Sequence, residues 1–268
     1  MWSLDWNWLA FTGSEQRDYL ERMLTCSVAS LASGETVHGL LLSRTGRTLG
    51  ELWLLADEDH TLAGIASGGE PVVAELEKFV LAADVAIERL GWATVAEQAA
   101  VADGWTSDGD NVRFRALLGQ SVTAGPGLTA DGDPQLAQLA QLARLAAGIP
   151  DWEAEGVARR NPLVVGLGAL VPAEAGCYPG QEVVSKLRNM GGLRRRLTRL
   201  QISVPVEAGT SLERDGKPVG EVTSSALQPD GSELALGFVK RPREGERLAT
   251  GAADALVLGP GLLDDLPF

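Results

Sequence analysis

The C-terminal part of the chain is cut by two Asp-Gly steps, Asp215-Gly216 and Asp230-Gly231, into short runs that are too brief for helices and alternate as strands do. Leu197–Val204 alternates apolar and polar residues, Val219–Ser225 is strand-like, and Leu234–Val239 and Ala255–Leu258 follow at similar spacing. Asp-Gly favours two successive positive φ angles, which a tight hairpin requires. Short strands at this spacing close into a small antiparallel barrel or stack as a sandwich.

Upstream the period changes. Ser14–Leu24 reads as a helix with Ser14 as N-cap and Tyr19, Leu20, Met23 and Leu24 on one face. Thr48–Leu55 and Thr61–Ala66 read as strands around an Asp-rich turn. Pro71–Leu81 places Pro at a first helical position, and Asp84–Leu90 reads as a further strand. Asp133–Gly148 is a helix capped by Asp133 and ended by Gly148, its stripe of Leu136, Leu139, Leu142 and Leu145 marking it as a core helix. Gly91–Gly132 is weakly patterned.

Chemistry concentrates at Gly176-Cys177-Tyr178-Pro179-Gly180-Gln181-Glu182. Cys177 stands just ahead of an expected helix start, where the positive end of the helix dipole favours a thiolate. Gly176 and Gly180 allow close approach and positive φ, and Pro179 stiffens the backbone between them. A lone cysteine is more often a small buried hydrophobe; the surrounding heptad points instead to a presented thiol. Tyr178 supplies a ring that can stack or hydrogen bond, and Gln181 and Glu182 supply an amide and an acid.

The net charge is −13. That disfavours non-specific binding to nucleic acid or anionic membranes. Against it, Lys186, Arg188, Arg194, Arg195, Arg196 and Arg199 form a basic island with no acid between them. The island is either an anion site or a solvated strand and loop whose charges face opposite sides. No apolar run approaches the ~20 residues of a membrane span, and the N-terminus lacks the basic start of a signal peptide. Two distant cysteines point to a reducing compartment, the cytoplasm, rather than to a disulfide scaffold. There is no phosphate loop or nucleophile elbow. Two separated cysteines with two separated histidines, His38 and His60, predict no metal site.

The heptad, its continuation Val183-Val184 and the later Gly192 and Arg194-Arg195-Arg196-Leu197 resemble the signature of the YgfZ family of folate-binding proteins, relatives of the glycine cleavage T-protein, an aminomethyltransferase. Gly46-Arg47, Lys78-Phe79-Val80-Leu81, Gly148-Ile149-Pro150 and the Gly216–Ser224 run resemble the same family, so the resemblance covers nearly the whole chain. Ala175 stands where the family usually carries Lys, and Cys26-Ser27 where it usually carries an Asp.

The resemblance implies an α+β fold: two α/β parts built on antiparallel sheets in a ring-like arrangement, with a small C-terminal antiparallel β-barrel. It divides the chain into an N-terminal folate-binding part (1–132), a middle part with the cysteine turn (133–194) and the barrel (195–268). It implies tetrahydrofolate or a related folate as ligand, and an accessory role in iron–sulfur cluster assembly or repair that affects tRNA modification, with iron–sulfur proteins or assembly factors as partners. Cys177 is then the functional residue, with Tyr178, Gln181, Glu182, Gly176 and Gly180 around it and Arg194, Arg196 and Arg47 as anion contacts. Two other readings stand beside it: a folate-dependent aminomethyltransferase-like one-carbon transferase, and an RNA-binding module built on Lys186–Arg199.

Overall fold

The computed structural model describes residues 1–80, 83–130, 132–189, 193–251 and 253–266. In chain order the elements are β1 (Trp2–Leu4), β2 (Asn7–Thr12), α1 (Gln16–Met23), β3 (Thr36–Leu42), β4 (Thr48–Ala56), β5 (His60–Ser67), α2 (Gly69–Lys78), β6 (Ala86–Leu90), β7 (Ala93–Gln98), β8 (Trp105–Asp108), β9 (Asn111–Arg115) and β10 (Gln120–Gly125). Then follow α3 (Pro134–Ala147), α4 (Gln181–Asn189), β11 (Arg195–Ile202), β12 (Ser211–Arg214), β13 (Lys217–Leu227), β14 (Glu233–Lys240), β15 (Arg247–Thr250) and β16 (Ala253–Gly259). They fall into two compact units: residues 1–137 with 170–181, and residues 138–169 with 182–268.

The first unit holds two five-stranded antiparallel sheets, ordered β3-β4-β5-β2-β6 and β1-β7-β10-β9-β8. The period of two along a strand sends alternate residues to opposite faces. On β2, Leu9 and Phe11 join Tyr19, Leu20 and Met23 of α1 and Val72, Val73 and Leu76 of α2. Trp8, between them, packs with Trp53, Leu62, Phe114 and Val122 against the second sheet. Likewise Leu52 and Leu54 of β4 face the helices while Trp53 and Leu55 face the second sheet. A strand buried on both faces reads as a continuous apolar run, which is why β4 is so obvious in the sequence.

In the second unit, β11-β14-β13-β12-β15-β16 close a barrel. Leu200, Ile202, Leu212, Val222, Val239, Leu248 and Val257 are among the buried side chains that form its core. Asp215 and Gly216 join β12 to β13 with φ of 52° and 71°, the pair of positive angles expected of an Asp-Gly hairpin. The fold is thus α+β, on antiparallel sheets with a closed C-terminal barrel, and the sandwich alternative falls away.

Several local expectations need correction. Ser14 is not the cap of α1: its N–H and hydroxyl both bond Asp84 Oδ2, at 3.1 and 2.7 Å, and tie the helix entrance to the segment before β6. α2 begins two residues before Pro71, after Gly68 in the left-handed region, and ends at Lys78; Leu81 lies outside the described residues. α3 starts as expected, with Asp133 Oδ1 accepting from Gln135 N at 2.9 Å, and ends at Gly148 (φ 69°). It is not a core helix, however. Of its leucine stripe only Leu145 is buried, and Leu139 is 61% exposed. Leu, Ala and Gln are strong helix formers, so the helix is specified by propensity without a full apolar partner.

Candidate functional site

The cysteine turn belongs to the first unit and is fastened to it at both ends. At its start the buried Thr25 hydroxyl donates to Leu170 O at 2.6 Å while accepting from Leu40 N at 2.9 Å. At its end Gly180 (φ 82°) lies against the β3–β4 turn: a Cβ there would stand 2.8 Å from Gly46 Cα, and would collide with Ser43 O. That turn is closed by Ser43 N to Arg47 O at 2.8 Å, Gly46 N to Ser43 O at 2.8 Å and Arg47 N to Ser43 Oγ at 3.1 Å. The glycine at 180 is therefore required twice, by its backbone angle and by the space.

Between these anchors the chain alternates in burial. Gly176 and Cys177 are exposed, Tyr178 is 8% exposed, and Pro179 and Gly180 are half-buried. Gln181 opens α4 and bridges back, its Nε2 donating to Ala175 O at 3.3 Å. No donor reaches its amide oxygen among the described residues. Glu182 is exposed on the first turn of the same helix. Cys177 thus stands out from a short loop pinned by Thr25, Gly46 and Gln181.

The remaining candidates are spread. Arg47 is exposed and is brought to the cysteine turn by the approach of Gly46 to Gly180. In the second unit Arg194 is exposed, whereas Arg196 is buried and bonds Asp264 Oδ2 at 2.5 Å and Leu266 O at 2.9 Å. Much of the basic island is engaged within its own unit. Arg188 pairs with Asp265 at 2.7 Å, Arg195 with Glu221 at 2.7 Å, and Arg199 donates to the carbonyls of Pro260 and Ala146. Among the described residues no group of acids, cysteines and histidines is arranged to hold a metal ion.

No family model matches the chain. A tRNA-modifying protein YgfZ of Photobacterium profundum is 26% identical over 274 residues, covering 87% of this chain and 80% of the relative. This chain resembles that protein over most of its length. A chloroplastic protein of Arabidopsis thaliana that carries a provisional transferase name is 30% identical over 155 residues. That match takes in 56% of this chain but only 34% of the relative, so the chain spans about a third of the plant protein. The crystal structure of glycine cleavage system aminomethyltransferase T from Bartonella henselae superposes with a TM-score of 0.79 over 99% of this chain and 86% of that one. At 18% identity the likeness is one of fold.

Two side chains that local sequence patterns do not mark stand at the turn. Thr25 is one. Glu21 is the other: its Oε2 accepts from Val28 N at 2.5 Å and Ala29 N at 3.0 Å, and its Oε1 would lie 3.2 Å from a Cβ at Gly176. The chain lacks the Asp expected after Thr25, but a carboxylate reaches the cysteine turn from one turn earlier in α1. The same carboxylate acts on the second thiol. Burial pushes the Cys26 pKa from 9.0 to about 12, and the charge of Glu21 adds to the rise.

Proposed function

We propose that the chain is a folate-binding accessory protein of the YgfZ kind, working in the cytoplasm through Cys177 in the assembly or repair of iron–sulfur clusters. Through those clusters it acts on tRNA-modifying enzymes that need them. The observation that carries this reading is the exposed Cys177 thiol on a turn anchored at both ends, in a chain similar to YgfZ over 87% of its length. One thiol supplies only part of a cluster's ligand set, so an iron–sulfur protein or assembly factor provides the rest.

The side chains at the turn fit a folate chemically. The undonated amide oxygen of Gln181 and the exposed carboxylate of Glu182 are acceptors for the amino and amide N–H groups of a pterin. Arg47, on the β3–β4 turn that meets Gly180, is the cation for a glutamate tail. Tyr178, Gly176 and Gly180 shape the loop that presents the thiol.

Titration calorimetry with tetrahydrofolate under reducing conditions tests the folate half, on wild type and Cys177→Ala. Micromolar binding to both is expected, and a folded protein that gives no heat overturns it. Iron–sulfur enzyme activity in cells tests the other half. Cys177→Ser leaves the fold intact and abolishes the activity; wild-type activity from this variant removes the thiol from the function. The fold likeness to aminomethyltransferase T favours a second reading, a folate-dependent one-carbon transferase. Methylene transfer from folate to an amine acceptor by the purified protein would establish it.

A further inference from the structure

The first unit contains a cavity of about 430 Å³ whose described lining shares no residue with the cysteine turn. Small-ligand sites are commonly about 300–1,000 Å³. Its apolar lining includes Leu62, Leu90 and Val112, and two indoles, Trp92 and Trp105, contribute to its wall. Both indoles are half-buried and held within the protein. The Trp92 ring centroid is 5.6 Å from that of Trp8, and Trp105 Nε1 donates to Ala56 O at 2.9 Å.

The polar rim is acidic. Asp57, His60 and Asp110 line it, and among the described residues no lysine or arginine does. Asp57 Oδ1 accepts from Glu58 N and Ser33 Oγ, each at 2.8 Å. Those bonds hold its carboxyl below the usual carboxylate range, the Glu58 N–H contributing most. His60 Nδ1 stands 3.8 Å from its Oδ2, beyond hydrogen-bonding distance, and the Arg17 guanidinium, which donates to Asp57 O at 2.6 Å, offsets part of its charge. Asp110 is exposed in the β8–β9 turn with no ion pair among the described residues.

We propose that this cavity binds a small organic cation, a quaternary or protonated amine carrying an apolar or aromatic group. Indole is the strongest cation–π partner among side chains, and the exposed Asp110 carboxylate at the rim complements the same charge. A neutral ligand of the same shape leaves the Asp110 carboxylate unmatched, and an anion meets its repulsion.

The test uses the full chain and benzyltrimethylammonium as probe, followed through the tryptophan indole N–H signals in heteronuclear NMR. Trp92→Phe and Trp105→Phe assign the relevant peaks. Benzyl alcohol and benzoate are the neutral and anionic comparisons. Saturable shifts at Trp92 and Trp105 are expected with the cation, weaker ones with the alcohol and none with benzoate. Trp92→Leu should weaken the cation about tenfold, the scale of one desolvated cation–π contact. Asp110→Asn, in an exposed turn where folding is not at risk, should weaken it about threefold, the scale of a partly screened charge. The proposal is overturned if no shift saturates, if the alcohol binds as tightly as the cation, or if Asp110→Asn leaves the cation's affinity unchanged.

Discussion

The two thiols differ in environment, and environment decides their reactivity. Cys177 is exposed, and Cys26 lies in the core between α1 and the first sheet with its pKa pushed to about 12. Alkylation requires the thiolate. Iodoacetamide at pH 8 should therefore add one group to the native protein, on Cys177, and a second only in denaturant; mass spectrometry of both reactions checks this. The same shift bears on stability. The unfolded thiol ionises near 9.0 and the folded one near 12, so the fold holds the protonated form. Its contribution is complete below pH 9 and is lost as the pH rises toward 12. Tyr19, raised from 10.0 to about 12 by burial and then by Glu75, acts in the same direction. The urea midpoint should fall across that window, and less steeply in Cys26→Ala; an equally steep fall in the variant would refute the assignment. At this scale the sequence shows which cysteine sits in a special turn, because glycines and a proline flank it. It does not show Glu21 beside that turn, because the contact depends on how α1 is laid over the chain, not on local spacing.

Elements were legible where one period dominated. The barrel strands and α1 stand out, as does β4, whose Leu-Trp-Leu-Leu run serves two cores. β2 is harder to see: Asn7–Thr12 is short and both of its faces are buried, so no polar alternation marks it. β7, β8 and β10 carry Ala, Thr, Ser and Gln, which set no clear period, and β9, although Val112 and Phe114 alternate with polar residues, is only five residues long. The loop before the cysteine turn hides a polar centre for the same reason. Glu153 and Glu155 look alike in sequence, yet Glu155 is 1% exposed while Glu153 is exposed. Glu155 Oε1 accepts from Thr223 and Ser224 hydroxyls at 2.6 and 2.7 Å, and Oε2 from Asp151 N at 2.6 Å and Arg144 Nη1 at 3.4 Å. It ties α3 and the loop to β13. Glu155→Ala leaves Asp151 N and the Ser224 hydroxyl without their acceptor and Arg144 without its buried counter-charge, while Thr223 and Arg144 keep bonds to Leu236 O and Ile149 O. It should cost about 3–5 kcal/mol, the scale for breaking a buried charged network. Glu155→Gln keeps the shape and two acceptor positions and should cost less. Urea unfolding of both variants decides; a loss below about 1 kcal/mol in the alanine variant would mean that water replaces the carboxylate readily.

At the scale of the molecule, the chain passes between the two units after Ala137, after Ala169 and after Gln181. The functional turn is thus a short excursion, 170–181, whose neighbours on both sides belong to the other unit. Sequence order alone assigns such a segment to the middle of the chain. Only the buried Thr25 bond to Leu170 and the Gly180–Gly46 approach show what holds it. Gly180→Val tests that attachment. A β-branched residue disfavours φ near 82°, and its Cβ meets backbone atoms of the β3–β4 turn that cannot rotate away. The combined cost should be about 2–4 kcal/mol, and it should be local. Hydrogen exchange should quicken at β3, β4 and Thr25, which lose their cover, while the amides of β11, β13 and β14 in the barrel keep their protection. Equal quickening in the barrel would mean that the segment is held as much by the second unit as by the first. Unchanged exchange everywhere would mean that the turn yields to valine without being displaced, and that Cys177 is held by less than its two anchors.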